Sequence, residues 1–130
     1  MAGKRSQPWL IGICFGGGLL LTVIGIRFLL VPESAARTFG VATPPVGHEM
    51  HYLIGLRDIW LGLLAMAFAA LREWRAVMLW AATGAVVCFA DAAIAAMSKG
   101  SLPQVAFHFG SGIVCVAVAA YIFRLGSDRA

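Results

Sequence analysis

The stretch EMHYLIGLRDIWLGLLAMAFAAL, residues 49–71, decides the fold of this chain. It is apolar over most of its length. It is also long enough to cross the roughly 30 Å hydrocarbon core of a bilayer as one helix, which takes about 20 residues. Three more apolar stretches of similar length flank it, at residues 8–31, 76–98 and 103–125. The sequence therefore predicts an all-α fold, a four-helix transmembrane bundle.

The composition agrees with a membrane location. Of the 130 residues, 61% are hydrophobic and 12% are charged, whereas about a quarter of the residues in a soluble domain are charged. The length fits a single transmembrane domain over residues 1–130. The net charge of +4 is scattered over helix ends, with no basic patch, so we expect no nucleic-acid partner.

The connection between the first two spans contains PESAARTFG, residues 32–40. It predicts a short interfacial helix with Pro32 in its first turn and Gly40 as its C-cap. At the N-terminus, Lys4 and Arg5 resemble the start of a signal peptide. The apolar run after them exceeds the roughly 7–15 residues of such a peptide, so we expect it to remain as the first span.

Positive charge predicts the orientation. Four spans place both termini on one side of the membrane, and most of the basic residues fall there: Lys4, Arg5, Arg72, Arg75, Arg124 and Arg129. The loops of the opposite side carry Arg37 and Lys99. Because loops rich in Lys and Arg stay inside, we expect both termini in the cytoplasm, in a bacterial inner membrane.

Five polar residues lie at similar depth in the outer half of the predicted bundle. At 1.5 Å per residue, Asp91, Arg57 and Asp58 are about two turns from the outer helix ends. Arg27 and His108 are about one turn from those ends. A charge near the bilayer centre costs about 2.5–3.5 kcal/mol, so intramembrane charges commonly serve a function. The layer therefore predicts a polar site.

Helical spacing predicts which faces of the spans meet. Small and polar residues recur at intervals of three or four on one face of each of three spans: His51, Gly55, Asp58, Gly62 and Ala65; Gly84, Cys88, Asp91, Ala95 and Ser98; and Gln104, His108, Ser111, Gly112, Cys115 and Ala119. Small residues let membrane helices approach closely, so Asp58, Asp91 and His108 should point inward. Arg57 should reach a different neighbour, such as Asp91.

The layer has two interpretations. It is either a structural network that fixes helix register or a site that binds or converts an amphiphilic, lipid-like small molecule. In the second case Asp58, Asp91 and His108 are the candidate catalytic residues, because histidine exchanges protons near neutral pH and a desolvated aspartate can act as a base. Arg27, Arg57 and His51 are the candidate substrate-binding residues. Isomerisation, cyclisation or hydrolysis would suit such a pocket, and whether the chain is an enzyme stays open.

We predict no cofactor and no metal. His51 and His108 leave haem as an alternative, and a metal site from His51, Asp58 and His108 lacks a diagnostic spacing. A further alternative is a non-catalytic accessory subunit of a larger membrane complex, or a homo-oligomer. The glycines of the first span would then pack within the bundle or against another copy: Gly12, Gly16, Gly17 and Gly18.

The segments GIRFLLVPESAARTFG (25–40) and GLRDIWLGLL (55–64), followed by a lone Asp91 and His108, resemble a bacterial and fungal domain-of-unknown-function family. Its members are small four-helix membrane proteins, similar in layout to the broader DoxX-like group. The resemblance covers roughly residues 25–121, and its matching elements are Arg27, Pro32, Phe39, Gly40, Arg57, Asp58, Gly62, Asp91 and His108. It implies a four-helix bundle with this polar layer at its centre, and it implies no activity.

Overall fold

The computed structural model describes residues 8–41 and 47–127, which contain five helices and no strand. The helices are α1 (Pro8–Leu30), α2 (Pro32–Phe39), α3 (Glu49–Ala70), α4 (Trp74–Met97) and α5 (Leu102–Ser127). This confirms the predicted all-α fold, with its short helix between the first and second spans. Lys4, Arg5 and Arg129, which contributed to the predicted orientation, lie outside the described residues.

Four of the helices are long and apolar enough to cross a membrane. Their most apolar windows have mean hydropathies of 2.2, 1.7, 1.9 and 1.9 for α1, α3, α4 and α5. Large apolar side chains such as Leu19, Trp60, Leu79 and Phe123 are exposed on the outside of the bundle. In water this would be unfavourable, but in lipid it is the expected surface. The chain is an integral membrane protein.

The short helix α2 begins and ends as predicted. Pro32 is in its first turn, where a missing amide hydrogen costs no hydrogen bond. Gly40 ends it in the left-handed conformation, with φ 109°. The backbone amides of Gly40 and Val41 donate to the carbonyl of Ala36 at 3.1 and 3.0 Å. These bonds close the last turn and direct the chain away from the helix axis.

Helices α1 and α3 are antiparallel and meet through two pairs of glycines. Gly18 faces Gly62, and Gly25 faces Gly55. A Cβ atom added at Gly18 would lie 2.6 Å from the carbonyl oxygen of Gly62, and one added at Gly25 would lie 2.5 Å from that of Gly55. Only glycine allows backbones to approach this closely, which increases the van der Waals contact that holds membrane helices together.

Helices α4 and α5 form the second extensively packed pair, and α3 and α4 share a shorter contact. At the end of the bundle nearest the two termini, Leu10, Val77 and Ile122 form a buried apolar cluster that joins α1, α4 and α5. At the opposite end, which we call the α2 end, Phe28 packs with Ala35 and Ala36 of α2.

The buried faces largely follow the predicted spacing. On α3 every residue of the predicted face is buried, and on α5 His108 and Gly112 are buried. On α4 the most buried face is offset by about one residue and consists of Val77, Ala81, Ala85, Ala92 and Ala95. Asp91 is therefore half-buried at the edge of the helix contact. This offset leaves its carboxylate at the wall of a cavity.

Candidate functional site

A cavity of about 190 Å³ lies at the α2 end of the bundle. Its wall is mainly apolar, and its polar members are His51, Arg57 and Asp91. The remaining lining residues come from α1, α2, the segment after α2, α3 and α4: Phe28, Ala36, Phe39, Val41, Met50, Ile54 and Ile94. Arg57 is about 12 Å along α3 from its first residue, so the cavity reaches about two helical turns below the helix ends.

Arg57 connects the two aspartates. Its Nε donates a hydrogen bond to Oδ1 of Asp58 at 3.0 Å, and its Nη2 lies 3.0 Å from the same oxygen. The same Nη2 is 4.0 Å from Oδ2 of Asp91 on α4. The structure thus places Arg57 near Asp91, as the sequence predicted, but the closer partner of Arg57 is Asp58, its neighbour in sequence, which the sequence did not predict. The tight pair is Arg57–Asp58, because its distances are 3.0 Å against 4.0 Å for Asp91; the side chain of Arg57 is 42% exposed and that of Asp58 is 6% exposed.

His51 is a buried member of the cavity wall. It is 3% exposed, and its ring lies 6.1 Å from that of Phe28 and 5.8 Å from that of His48, measured between centroids. Its Nδ1 is buried and has no hydrogen-bond partner among the described residues. A buried polar atom left without a partner costs about 1–3 kcal/mol, so this histidine is unfavourable as a purely structural residue.

His108 holds the C-terminus of α2 and is not among the residues that line the cavity. Its Nε2 lies 3.0 Å from the carbonyl oxygen of Phe39, and the ring of Phe39 contacts the imidazole with the two centroids 4.3 Å apart and the planes tilted by 49°. One turn earlier on α5, Nε2 of Gln104 donates to the carbonyl oxygen of Arg37 at 2.6 Å. The last carbonyls of a helix lack intrahelical donors, so two side chains of α5 satisfy the end of α2.

Asp58 and Arg27 also lie outside the cavity wall. Asp58 accepts a hydrogen bond from Arg57 and so holds its guanidinium in place. Arg27 lies apart from this pair, and its Nη2 donates to the hydroxyl of Thr38 on α2 at 3.3 Å. The six predicted site residues therefore divide into three that line the cavity and three that hold its surroundings.

The structure also gives the geometry for the cofactor alternatives. Within the described part of the chain, no group of three His, Cys, Asp or Glu side chains is arranged to hold a metal ion. His51 and His108 stand at opposite ends of an aromatic row in which Phe28 and Phe39 lie between them, with neighbouring centroids 6.1, 6.2 and 4.3 Å apart. Two intervening phenyl rings do not fit a pair of facing haem ligands.

Sequence reasoning missed the wall that α2 contributes. Ala36 and Phe39 of α2 line the cavity, and Gln104 helps to hold this helix in place. One signal was present: an eight-residue helix that ends at Gly40 leaves carbonyl groups in need of donors. The sequence offers no means of choosing Gln104 and His108 as those donors.

The fold defines a class: small integral membrane proteins, here with four helices in the described part of the chain that are long and apolar enough to span a membrane. The model of the family described as Domain of unknown function (DUF4267) matches residues 18–122. The chain belongs to this family, and the match covers most of α1 and α5 and all of the cavity wall. Searches of curated proteins and of solved structures found no match.

Proposed function

We propose that this protein binds an amphiphilic small molecule of the membrane in the cavity at the α2 end. The carrying observation is the nature of the wall: an apolar lining that contains a buried histidine with an unpartnered nitrogen and the loosely joined Arg57–Asp91 pair. Ligand pockets usually combine an apolar lining with a few convergent polar groups. An amphiphile would supply both an apolar chain and the missing polar partner.

The edges of the cavity support entry from the lipid. Met50 and Ile94 line it, and they are 57% and 49% exposed. Side chains that are exposed on an apolar helix of a membrane protein face lipid. A molecule dissolved in the bilayer would therefore reach the cavity between α3 and α4 without crossing the polar interface.

The six candidate residues take different roles in this proposal. His51, Arg57 and Asp91 would touch the polar part of the ligand, because they line the cavity. Asp58 positions Arg57, and His108 positions the α2 wall. Acid–base conversion of the ligand would use Asp91 or His51, which are the groups able to exchange a proton with a molecule in the cavity.

Filling the cavity tests the proposal. Wild-type protein, purified in a mild detergent, would be extracted with organic solvent and its retained small molecules identified by mass spectrometry. The cavity-filling variant is Ala36→Phe, and the matched control is Ala93→Phe, at an exposed position of α4. We expect a near-stoichiometric molecule in wild type and Ala93→Phe that is lost in Ala36→Phe. Its absence from wild type, or its retention in Ala36→Phe, would contradict the proposal.

The alternative of an accessory subunit or homo-oligomer is favoured by one observation. Positions Gly12, Gly16 and Gly17 of α1 have open space where a Cβ atom would stand, so this glycine face packs against nothing in the described chain. Such a face suits contact with another membrane helix. Under this alternative, Gly16→Leu would release a co-purifying polypeptide or dissociate an oligomer, and Ala36→Phe would have no effect on either.

We also propose that the protein lies in a bacterial inner membrane and that the end of the bundle opposite the α2 end faces the cytoplasm. Arg72, Arg75 and Arg124 lie at that end, whereas the α2 end carries Arg37 and Lys99 near its helix ends. This asymmetry agrees with the positive-inside rule. Labelling of single cysteines at positions 73 and 100 in whole cells, with a reagent that does not cross membranes, should modify position 100 alone.

A further inference from the structure

We propose that the head group of the ligand is positively charged, as in a primary alkylammonium. This inference rests on the proposed function, because it assigns the chemistry of the same cavity. It follows from the charge balance of the cavity wall, the weak pairing of Asp91 and the unpartnered nitrogen of His51. The first two observations favour a cation over an anion or an uncharged molecule, and the third favours a head group with more than one hydrogen-bond donor.

The charges at the cavity do not cancel. Arg57 supplies one positive charge and the two aspartates supply two negative charges, so the formal charge of these three side chains is −1. Arg27 does not line the cavity, because its guanidinium is turned toward Thr38. A buried carboxylate without a compensating charge is costly, and a bound cation would remove that cost.

The excess negative charge is on Asp91. Nε and Nη2 of Arg57 both approach Oδ1 of Asp58 at 3.0 Å, whereas the nearest distance to Asp91 is 4.0 Å. Asp91 accepts no side-chain hydrogen bond within residues 8–41 and 47–127. It lines the cavity with its side chain 16% exposed, so it is an acceptor available to a ligand.

The rest of the wall suits the same head group. A primary ammonium has three donors, of which one would bond Asp91 and another the unpartnered ring nitrogen of His51. The rings of Phe28 and Phe39 also line the cavity, and aromatic faces attract cations. An anionic head group would instead bring a further negative charge beside Asp91, while Nε and Nη2 of Arg57 are already directed to Asp58.

Three ligands with the same ten-carbon chain test the inference: radiolabelled decylammonium, decanoate and decanol. Equilibrium binding would be measured on the full chain in nanodiscs of a phospholipid without net charge, and the uptake of empty nanodiscs would be subtracted. Charged hydrogen bonds contribute enough that we expect decylammonium to bind at least about tenfold more tightly than the other two. This comparison uses the unaltered protein, so it does not depend on a variant that folds.

Two variants then test whether Asp91 causes the preference for decylammonium. Asp91→Asn keeps the shape of the side chain and should bring decylammonium to within about threefold of decanol. The control Glu73→Gln removes one exposed negative charge at the opposite end of the bundle and should leave the preference unchanged. If decanoate or decanol binds as tightly as decylammonium, or if Asp91→Asn keeps the preference, the cationic head group is refuted while the binding cavity stands. If none of the three binds, the proposed function itself fails.

Discussion

Replacing His51 by phenylalanine should make the empty protein more stable and abolish binding. The substitution keeps an aromatic ring beside Phe28, whose centroid is 6.1 Å away, and it removes a buried nitrogen that has no partner among the described residues. Relieving an unsatisfied buried polar atom is worth about 1–3 kcal/mol. After a discount for imperfect fit of the new ring, we expect the free energy of unfolding of His51→Phe to rise by about 1 kcal/mol.

Ligand binding should reverse the order of stability, so that wild type becomes more stable than His51→Phe. A ligand at 100 times its dissociation constant stabilises the folded state by about 2.7 kcal/mol, and the variant would not receive this contribution. Wild type should then exceed His51→Phe by roughly 1–2 kcal/mol. The assay is reversible unfolding in detergent, with and without decylammonium. His48→Phe is the matched control, because its Nδ1 is also buried and unpartnered but it does not line the cavity.

Two results would refute the reasoning. If the empty His51→Phe variant is less stable than wild type by more than about 1 kcal/mol, the imidazole makes favourable contacts and is a structural residue. If decylammonium stabilises His51→Phe as much as wild type, His51 does not contact the ligand. His48→Phe should respond to the ligand as wild type does.

Three further predictions concern the surroundings of the cavity. Gly25→Ala should lower the free energy of unfolding by about 2 kcal/mol or more in detergent unfolding assays, because the new Cβ would stand 2.5 Å from a carbonyl oxygen; Gly16→Ala, which meets no atom within 4 Å, should leave it unchanged or raise it by up to about 1 kcal/mol, because alanine favours a helix more than glycine does. Asp58→Asn should let Arg57 turn toward Asp91 and weaken decylammonium binding in the nanodisc assay; unchanged affinity would contradict the positioning role. Gln104→Ala should speed amide hydrogen exchange in α2 more than elsewhere, since it removes a 2.6 Å bond to that helix.

Much of the fold could be predicted because membrane helices leave strong sequence signals. The apolar length gave all four spans, and proline and glycine gave the limits of α2. The face of α3 also followed from its spacing, since His51, Asp58 and Gly62 are buried as expected. The sequence did not predict which glycine of α3 each glycine of α1 would contact. The seven-residue intervals from Gly18 to Gly25 and from Gly55 to Gly62 were visible, but their register is fixed by packing.

The site was predicted less completely. The proximity of Arg57 and Asp91 could be predicted, because the depth of each residue follows from its position along its helix and because the two side chains have opposite charges. Positions along the helices could not show which polar residues line the cavity and which ones support it. This division depends on where α2 lies, and His108 contacts a backbone carbonyl 69 residues away, which carries no side-chain signature.

The attachment of α2 to α5 has a consequence for biosynthesis. A ribosome synthesises α1, α2 and α3 before α5. The carbonyls of Arg37 and Phe39 therefore lack their side-chain donors, Gln104 and His108, until α5 has been made. Until the last helix inserts, one wall of the cavity lacks its anchors, although α1 and α3 can already associate through their glycines. A nascent chain stalled before residue 104 would have at most its first three spans, because α5 begins at Leu102, and its cavity would be unfinished. Binding competence therefore arrives only as translation ends.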